Sequence, residues 1–290
     1  MQNLQDIVSQ TRRDILRMVH KVNSGHPWGS LGFTEFLVAL YNEVMELDTN
    51  FTMDGKNEDL FFLSNGHISP VIYSVLARRG YFPVEELNTS RLLDSRLQGH
   101  PTTHEGLPGV RIASGSLGQG MSVALGAAQA KKLNNDSKLV YILHGDGELQ
   151  EGQNWEAIMY ASAKKVDNLI ATIDLNGQQI DGSTDDVLAM GSLKAKFEAF
   201  GWIVLEVKEG NNLEAIVNGL KEAKSKEIEI VDENGNLLLA GDIERRFLKR
   251  LGYINIMENI IFHILQEILI LYVTQYGTTH TGHLHIQARF

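Results

Sequence analysis

The sequence predicts an α/β fold, a parallel sheet with helices on both faces. Three observations carry this. Leu60-Phe-Phe-Leu63, Leu139-Val-Tyr-Ile-Leu143 and Leu169-Ile-Ala-Thr-Ile173 are short runs, nearly apolar throughout and rich in β-branched and aromatic residues, as strands covered on both faces are. Segments of helical periodicity alternate with such runs as far as about residue 225, which is the pattern of βαβ units. Each run ends at a glycine-bearing turn, at Asn65-Gly66, Gly145-Asp146-Gly147 and Asn176-Gly177.

In chain order, Leu4, Ile7, Val8, Ile15, Met18 and Val19 share one face of a helix over 4–22. Ser24-Gly25-His26-Pro27 is a loop, and Leu31–Met45 is expected to be one largely buried helix. A strand over Asp59–Ser64 leads through Asn65-Gly66-His67 to a helix from about Pro70 to Arg79, with proline in the first turn. Pro83 opens a short helix with Glu85 and Glu86. Residues 94–120 form a long irregular stretch, and so long a loop inside a compact domain is usually functional. Then follow a helix over Met121–Lys132, a strand over Lys138–Leu143, a helix over Gln153–Lys164 and a strand over Asn168–Asp174. Leu193–Phe200 is helical, Trp202–Val207 a strand and Leu213–Lys224 a helix. Residues 1–225 thus make one domain. Residues 226–290 read as a divergent tail: a hairpin over 228–240 around Asn234-Gly235, one or two helices over 243–273, and an irregular end. His280, His283 and His285 belong to that irregular end rather than to a metal site.

Composition narrows the function. The chain of 290 residues has room for one large α/β domain and an appendage. Lys and Arg number 26 against 36 Asp and Glu, a net charge of −10, so nucleic acid is excluded as the main partner. A polyanionic ligand would have to be held by a cation or by backbone N–H groups. With no cysteine, disulfides, thiolate catalysis and zinc–cysteine sites are excluded. The N-terminus has no apolar core of a secretory signal, and the most apolar stretch, Ile260–Val273, is shorter than the roughly 20 residues of a membrane span. A cytoplasmic protein without a membrane partner is expected.

The strongest constellation is Gly145-Asp146-Gly147 followed, 30 positions after Asp146, by Asn176. One helix and one strand lie between, so a right-handed βαβ unit sets Asp146 and Asn176 side by side at the carboxyl ends of adjacent strands. A carboxylate and an amide oxygen form a hard, oxygen-only set suited to Mg²⁺ or Ca²⁺ shared with ligand phosphates. Gly147 leaves room for a phosphate at the backbone. Either turn alone is also the signature of a plain turn. The dinucleotide fingerprint does not fit, because Gln150 stands where its third glycine is required. His26, His67, His100 and His104 all fall in glycine-rich loops, where imidazoles suit proton transfers near neutral pH. His144 reads as packing.

The segments GDGELQEGQNWEA (145–157) and DLNGQQIDGSTDDV (174–187) resemble the thiamine diphosphate motif of transketolases, specifically of the N-terminal subunit of the split, two-chain type. NSGHPWGSLG (23–32), LSNGH (63–67), QGHP (98–101), SGSLGQG (114–120) and LKAKFEAFGW (193–202) resemble the same family, over roughly residues 5–225. The resemblance implies the thiamine diphosphate-binding fold, with Mg²⁺ (or Ca²⁺) held by Asp146, Asn176 and the carbonyl of Gln178. It implies that Gly147 and His67 meet the cofactor's diphosphate and that Gly115, Ser116 and Leu117 line the cofactor. His26 and His100 would contact the sugar. Glu151 and Glu156 would be buried acids between two active sites. The implied reaction moves a two-carbon ketol unit between sugar phosphates. The implied partner is a C-terminal subunit carrying the pyrimidine-binding domain, in a homodimer of this chain or a heterotetramer. A non-catalytic subunit, or another thiamine diphosphate enzyme such as a 2-oxo-acid dehydrogenase α subunit or deoxyxylulose phosphate synthase, are the alternatives. Trp28 stands where the family usually has glycine and is expected to pack. The family's Thr-x-x-Gly-x-Gly loop is not found in the tail, which reads as a replaced, recombined or frameshifted gene end.

Overall fold

A computed structural model describes residues 2–225 together with the strand backbones of 230–231, 237–238 and 269–273. Three strands, β1 (Leu60–Leu63), β2 (Val140–Gly145) and β3 (Leu169–Asp174), lie side by side and parallel, with Leu60 opposite Val140 and Gly145 opposite Asp174. Alternation divides their side chains between two cores. Phe61, Leu63, Tyr141, Leu143 and Ile170 join one, and Leu60, Phe62, Val140, Ile142, Leu169, Ala171 and Ile173 the other. That is why these runs read as continuously apolar.

On the first face pack α1 (Gln2–Val22), α3 (Thr34–Ala39), α4 (Ser69–Arg78) and α9 (Leu213–Ser225). The second face is covered by α5 (Gly120–Leu133), α6 (Gly152–Ala163) and α8 (Leu193–Ala199). Trp202 is fully buried there, and its indole N–H donates to the carbonyl of Ile158 at 3.0 Å. The strand β6 (Ile203–Val207) closes the sheet, whose order is β1-β2-β3-β9-β6, with β9 at Leu269–Val273 and every neighbour parallel.

The expected helix over Leu31–Met45 is corrected. A first helix, α2 (Pro27–Gly32), begins at Pro27; Phe33 interrupts it, α3 follows, and Leu40–Val44 widens into a π-turn. Two hydroxyls bond back along the chain here, Ser30 Oγ to the carbonyl of His26 (2.8 Å) and Thr34 Oγ1 to that of Ser30 (3.1 Å), a pattern that bends helices. The short helix expected after Pro83 is present as about two turns of 3₁₀ helix, Val84–Thr89. Between Asp174 and Leu193 the chain forms a two-residue ladder of β4 (Gln178–Gln179) with β5 (Gly182–Ser183), then α7 (Thr184–Leu188), all absent from the sequence reading.

In the tail, β7 (Ile230–Val231) pairs antiparallel with β8 (Leu237–Leu238), in accord with the expected hairpin; its turn lies outside the described residues. The helices expected over 243–273 are corrected at their end, because Leu269–Val273 is the strand β9, set between β3 and β6. Leu-Ile-Leu-Tyr-Val is a short apolar run of the kind that periodicity cannot divide between helix and strand. Residues 243–268 and His280, His283 and His285 lie outside the described residues. Among the described residues no helix is long and apolar enough to cross a membrane.

Candidate functional site

The site forms at the carboxyl ends of β1, β2 and β3, the edge where open α/β sheets bind ligands. Gly145 ends β2 opposite Asp174, and the N–H of Asp146 donates to the carbonyl of Asp174 at 2.9 Å. The Asp146 carboxylate is 1% exposed; Oδ1 accepts from Gly147 N–H (2.8 Å) and Oδ2 from Gly177 N–H (2.6 Å). Asn176 donates its amide to Asp174 Oδ2 (2.9 Å), and its Oδ1 accepts from Gln178 N–H (2.8 Å). A β-carbon on Gly147 would stand 2.7 Å from Gln179 Cβ and 3.5 Å from the carbonyl oxygen of Gln178. The Asp146 and Asn176–Gln178 turns therefore meet as the spacing predicts, and the contact requires glycine at 147.

Electrostatically this corner is short of positive charge. Burial pushes the Asp146 carboxyl up to about 6, against the lowering effect of the Gly177 and Gly147 N–H groups. Asp174 is raised well above the usual carboxylate range, first by burial and then by Asp146, and its Oδ1 has no hydrogen-bond partner. Two buried acids side by side, with no lysine or arginine bonded to either among the described residues, fit a divalent cation. Among the described residues no group of three or more His, Cys, Asp or Glu side chains is placed to hold a metal ion by itself. One carboxylate, one amide oxygen and one main-chain carbonyl, completed by ligand oxygens, require none.

The histidines gather beside this corner. The rings of His26, immediately before α2, and His67, in a 3₁₀ turn after β1, lie 5.2 Å apart edge to face. A β-carbon on Gly66 would stand 2.5 Å from Ser114 Oγ, and one on Gly115 (φ +116°) 2.7 Å from His100 Cδ2. The turn at 66–67, the loop at 114–115 and the ring of His100 thus stack on one another. Burial, then the charge of His26, pushes His67 down to about 4, with Glu148 opposing and His100 adding to the fall. At neutral pH His67 is uncharged and presents one N–H donor. His100 is lowered by burial and then by Arg91 and His26. Ser116 and Leu117 are exposed beyond Gly115. His104 is exposed, with no contact to the other three.

Glu151 and Glu156, expected to be buried between two active sites, are exposed in this single chain. Another buried acid of the site is Glu148, 2% exposed, which the sequence reading missed. Its Oε1 accepts from Ser64 Oγ and from Gly118 N–H (2.8 Å), and its Oε2 from Gly145 N–H (3.3 Å). His144 Nδ1 lies 3.3 Å from Oε2. Burial raises Glu148, but His144 and the hydrogen bonds outweigh it and hold the carboxyl below its usual range. One carboxylate thus ties the end of β1, the loop before α5 and the turn after β2. An acid four residues after a histidine, flanking the Gly-Asp-Gly turn, was the available signal.

Trp28, expected to pack, is instead 81% exposed. Leu93 (92%) and Ile180 (93%) are exposed in the loop before His100 and in the connection between β4 and β5. With Leu117, four of the segments around the site each carry a large apolar side chain that this chain leaves uncovered.

Fold and site together define an open α/β domain whose strand ends carry two buried aspartates and a group of histidines. The sequence profile described as "Transketolase, thiamine diphosphate binding domain" matches residues 4–229. The chain is 38% identical over 222 residues to the 6-deoxy-6-sulfo-D-fructose transketolase subunit SqwG of Clostridium sp. (strain MSTE9), covering 77% of this chain and 80% of that one. It is 36% identical over 208 residues to an apulose-4-phosphate transketolase subunit of Phocaeicola vulgatus, covering 72% and 73%. The transketolase of Leishmania mexicana superposes with a TM-score of 0.71 at 31% identity, over 77% of this chain and 35% of that one. The chain spans about a third of such solved transketolases. It belongs to the transketolase family, as a transketolase-like subunit carrying the thiamine diphosphate-binding domain.

Proposed function

We propose that this chain forms the diphosphate-binding half of a two-chain transketolase and, with a pyrimidine-binding partner, transfers a two-carbon ketol unit between sugar phosphates. The observation that carries the reading is the buried pair Asp146 and Asp174 at adjacent strand ends, with Asn176 beside them and no cationic side chain bonded to either acid among the described residues. The chemistry supplied by bound thiamine diphosphate is the uptake and release of the two-carbon unit; the protein binds, orients and shields. Asp146, Asn176 Oδ1 and the Gln178 carbonyl hold Mg²⁺, or Ca²⁺ in its place, and Gly147 offers its N–H to the diphosphate. Oδ1 of Asn176 is already engaged by Gln178 N–H, which leaves a second lone pair for the metal. His67, neutral and largely buried, donates to a diphosphate oxygen without adding charge. Gly115, Ser116 and Leu117 form the wall on which the cofactor lies.

His26 and His100 meet the sugar, and their imidazoles hold or return protons at its hydroxyl and carbonyl oxygens near neutral pH. Glu151 and Glu156 face outward, in position to meet a second chain. The uncovered Trp28, Leu93, Leu117 and Ile180 support a partner that closes over the crevice, as homodimer or heterotetramer. The names of the relatives support a ketose with an anionic end, phosphate or sulfonate, and work alongside a second subunit; the place of that work in this reading is the cytoplasm. The test is ketol transfer by this chain mixed with a transketolase C-terminal subunit, with thiamine diphosphate and Mg²⁺. Turnover that Asp146→Ala abolishes is expected; undiminished turnover by that variant overturns the metal assignment.

A further inference from the structure

We propose that Arg91 is a positioning residue, a clamp that takes hold of the two loops bearing His26 and His100 and fixes the imidazoles relative to each other. The inference rests on the role given above to those histidines. Arg91 Nη1 donates to Ser24 Oγ at 2.9 Å, two residues before His26, and Nη2 reaches the carbonyl of Gly99 at 3.4 Å, one residue before His100. A β-carbon on Gly99 would stand 2.9 Å from the guanidinium carbon, so the guanidinium lies flat against that backbone. No other side chain among the described residues bonds to both loops.

Arg91 is itself held for this task. Its backbone has φ +59°, a left-handed conformation that costs a non-glycine residue about 1 kcal/mol or more. Arg91 N–H donates to the carbonyl of Leu97 at 2.8 Å, Thr89 and Ser95 share a hydroxyl bond of 2.7 Å, and Leu97 is fully buried beneath. The seven-residue loop is thus closed on itself and aims the arginine at the histidines. The Gly99 loop has separate anchors. Ser69 Oγ donates to the same carbonyl at 2.7 Å and Tyr73 to that of Gln98 at 2.8 Å. Loss of Arg91 therefore frees the His26–His100 spacing without unfolding either loop.

The guanidinium also acts on His100 electrostatically. The groups facing that imidazole are Arg91 from its own loop, His26 from the start of α2 and, from the turn after β1, His67; the Gly115 loop brings no charge. A fixed positive charge disfavours imidazolium, so its removal raises the His100 pKa.

The experiment is a ¹H–¹³C titration of the histidine Cε1–H signals in the full chain, with His100 assigned by His100→Gln. Arg91→Gln is expected to move the His100 midpoint upward and to shift the His26 signal, with the thermal midpoint of the chain nearly unchanged. Arg91→Lys, which keeps charge but not the fork, restores the His100 midpoint and leaves His26 displaced. Ser24→Ala moves His26 alone. An unchanged His100 midpoint with an unchanged His26 signal in Arg91→Gln overturns the clamp. In the assembled enzyme Arg91→Gln lowers kcat about tenfold or more with little change in KM, because the histidines still bind but are misplaced. If the wild-type assembly shows no ketol transfer, the functional reading fails, while the titration decides the clamp on its own.

Discussion

Asp146→Asn tests the site through stability before any ligand is added. In the metal-free chain burial raises this carboxyl from 3.8 to about 6, so its ionised form destabilises the fold by about 3 kcal/mol. A group raised in the folded state contributes stability that is fully present below its unfolded value near 4 and is lost as pH rises through about 6. Asparagine removes that loss. It turns one acceptor into a donor facing the Gly147 or Gly177 N–H, at a cost of about 1 kcal/mol. The variant should therefore be more stable than wild type by about 2 kcal/mol at pH 7.5 in EDTA, about 4–8 °C in melting temperature. The gap should close toward pH 4. Added Mg²⁺ should stabilise wild type and leave the variant unmoved, reversing the order. The assay is thermal and urea unfolding of both chains between pH 4 and 8, with EDTA or Mg²⁺. A variant that melts below wild type in EDTA at pH 7.5, or a difference independent of pH, refutes the reasoning.

Other outcomes follow from the same geometry. Gly147→Ala places a methyl 2.7 Å from Gln179 Cβ, so it should cost about 1–3 kcal/mol and weaken Mg²⁺ binding roughly tenfold, read by unfolding and by calorimetric titration. Glu148→Gln leaves three converging donors facing an amide, and a loss of about 2–3 kcal/mol in urea unfolding is expected; wild-type stability would contradict its role in joining three segments. His67 starts near 4 and should take up a proton when an anionic diphosphate binds at pH 5–6, visible as a dependence of binding enthalpy on buffer ionisation; its absence would separate His67 from the diphosphate. Trp28→Asp and Ile180→Asp should weaken association with the partner subunit by tenfold or more in sedimentation, with the melting temperature of the chain unchanged.

Much of this was legible in residues alone. The strands β1, β2 and β3 declared themselves because both faces are buried, so no polar residue interrupts Leu60–Leu63 or Val140–Leu143. The 30-residue spacing located Asp146 beside Asn176 because a right-handed crossover leaves little choice of geometry. What stayed hidden depended on tertiary context. The break at Phe33 comes from hydroxyls bonding back along the chain, and the ladder of β4 with β5 is too short to show a period. Glu148 sat unnoticed because its weight comes from Ser64 and Gly118, far away in sequence. Trp28 reads as core from its type alone, yet it projects from a rim that this chain does not cover. Leu269–Val273 looked helical because a short apolar run carries no period of its own.

The most direct test of the central claim is a calorimetric titration of thiamine diphosphate into this chain assembled with a transketolase C-terminal subunit, in Mg²⁺ and in EDTA. Saturable binding in Mg²⁺ that falls by a hundredfold or more in EDTA, and equally in Asp146→Ala, is the result expected of a cofactor held through a metal at Asp146, Asn176 and Gln178. Binding of equal strength in EDTA, or in the variant, would contradict it.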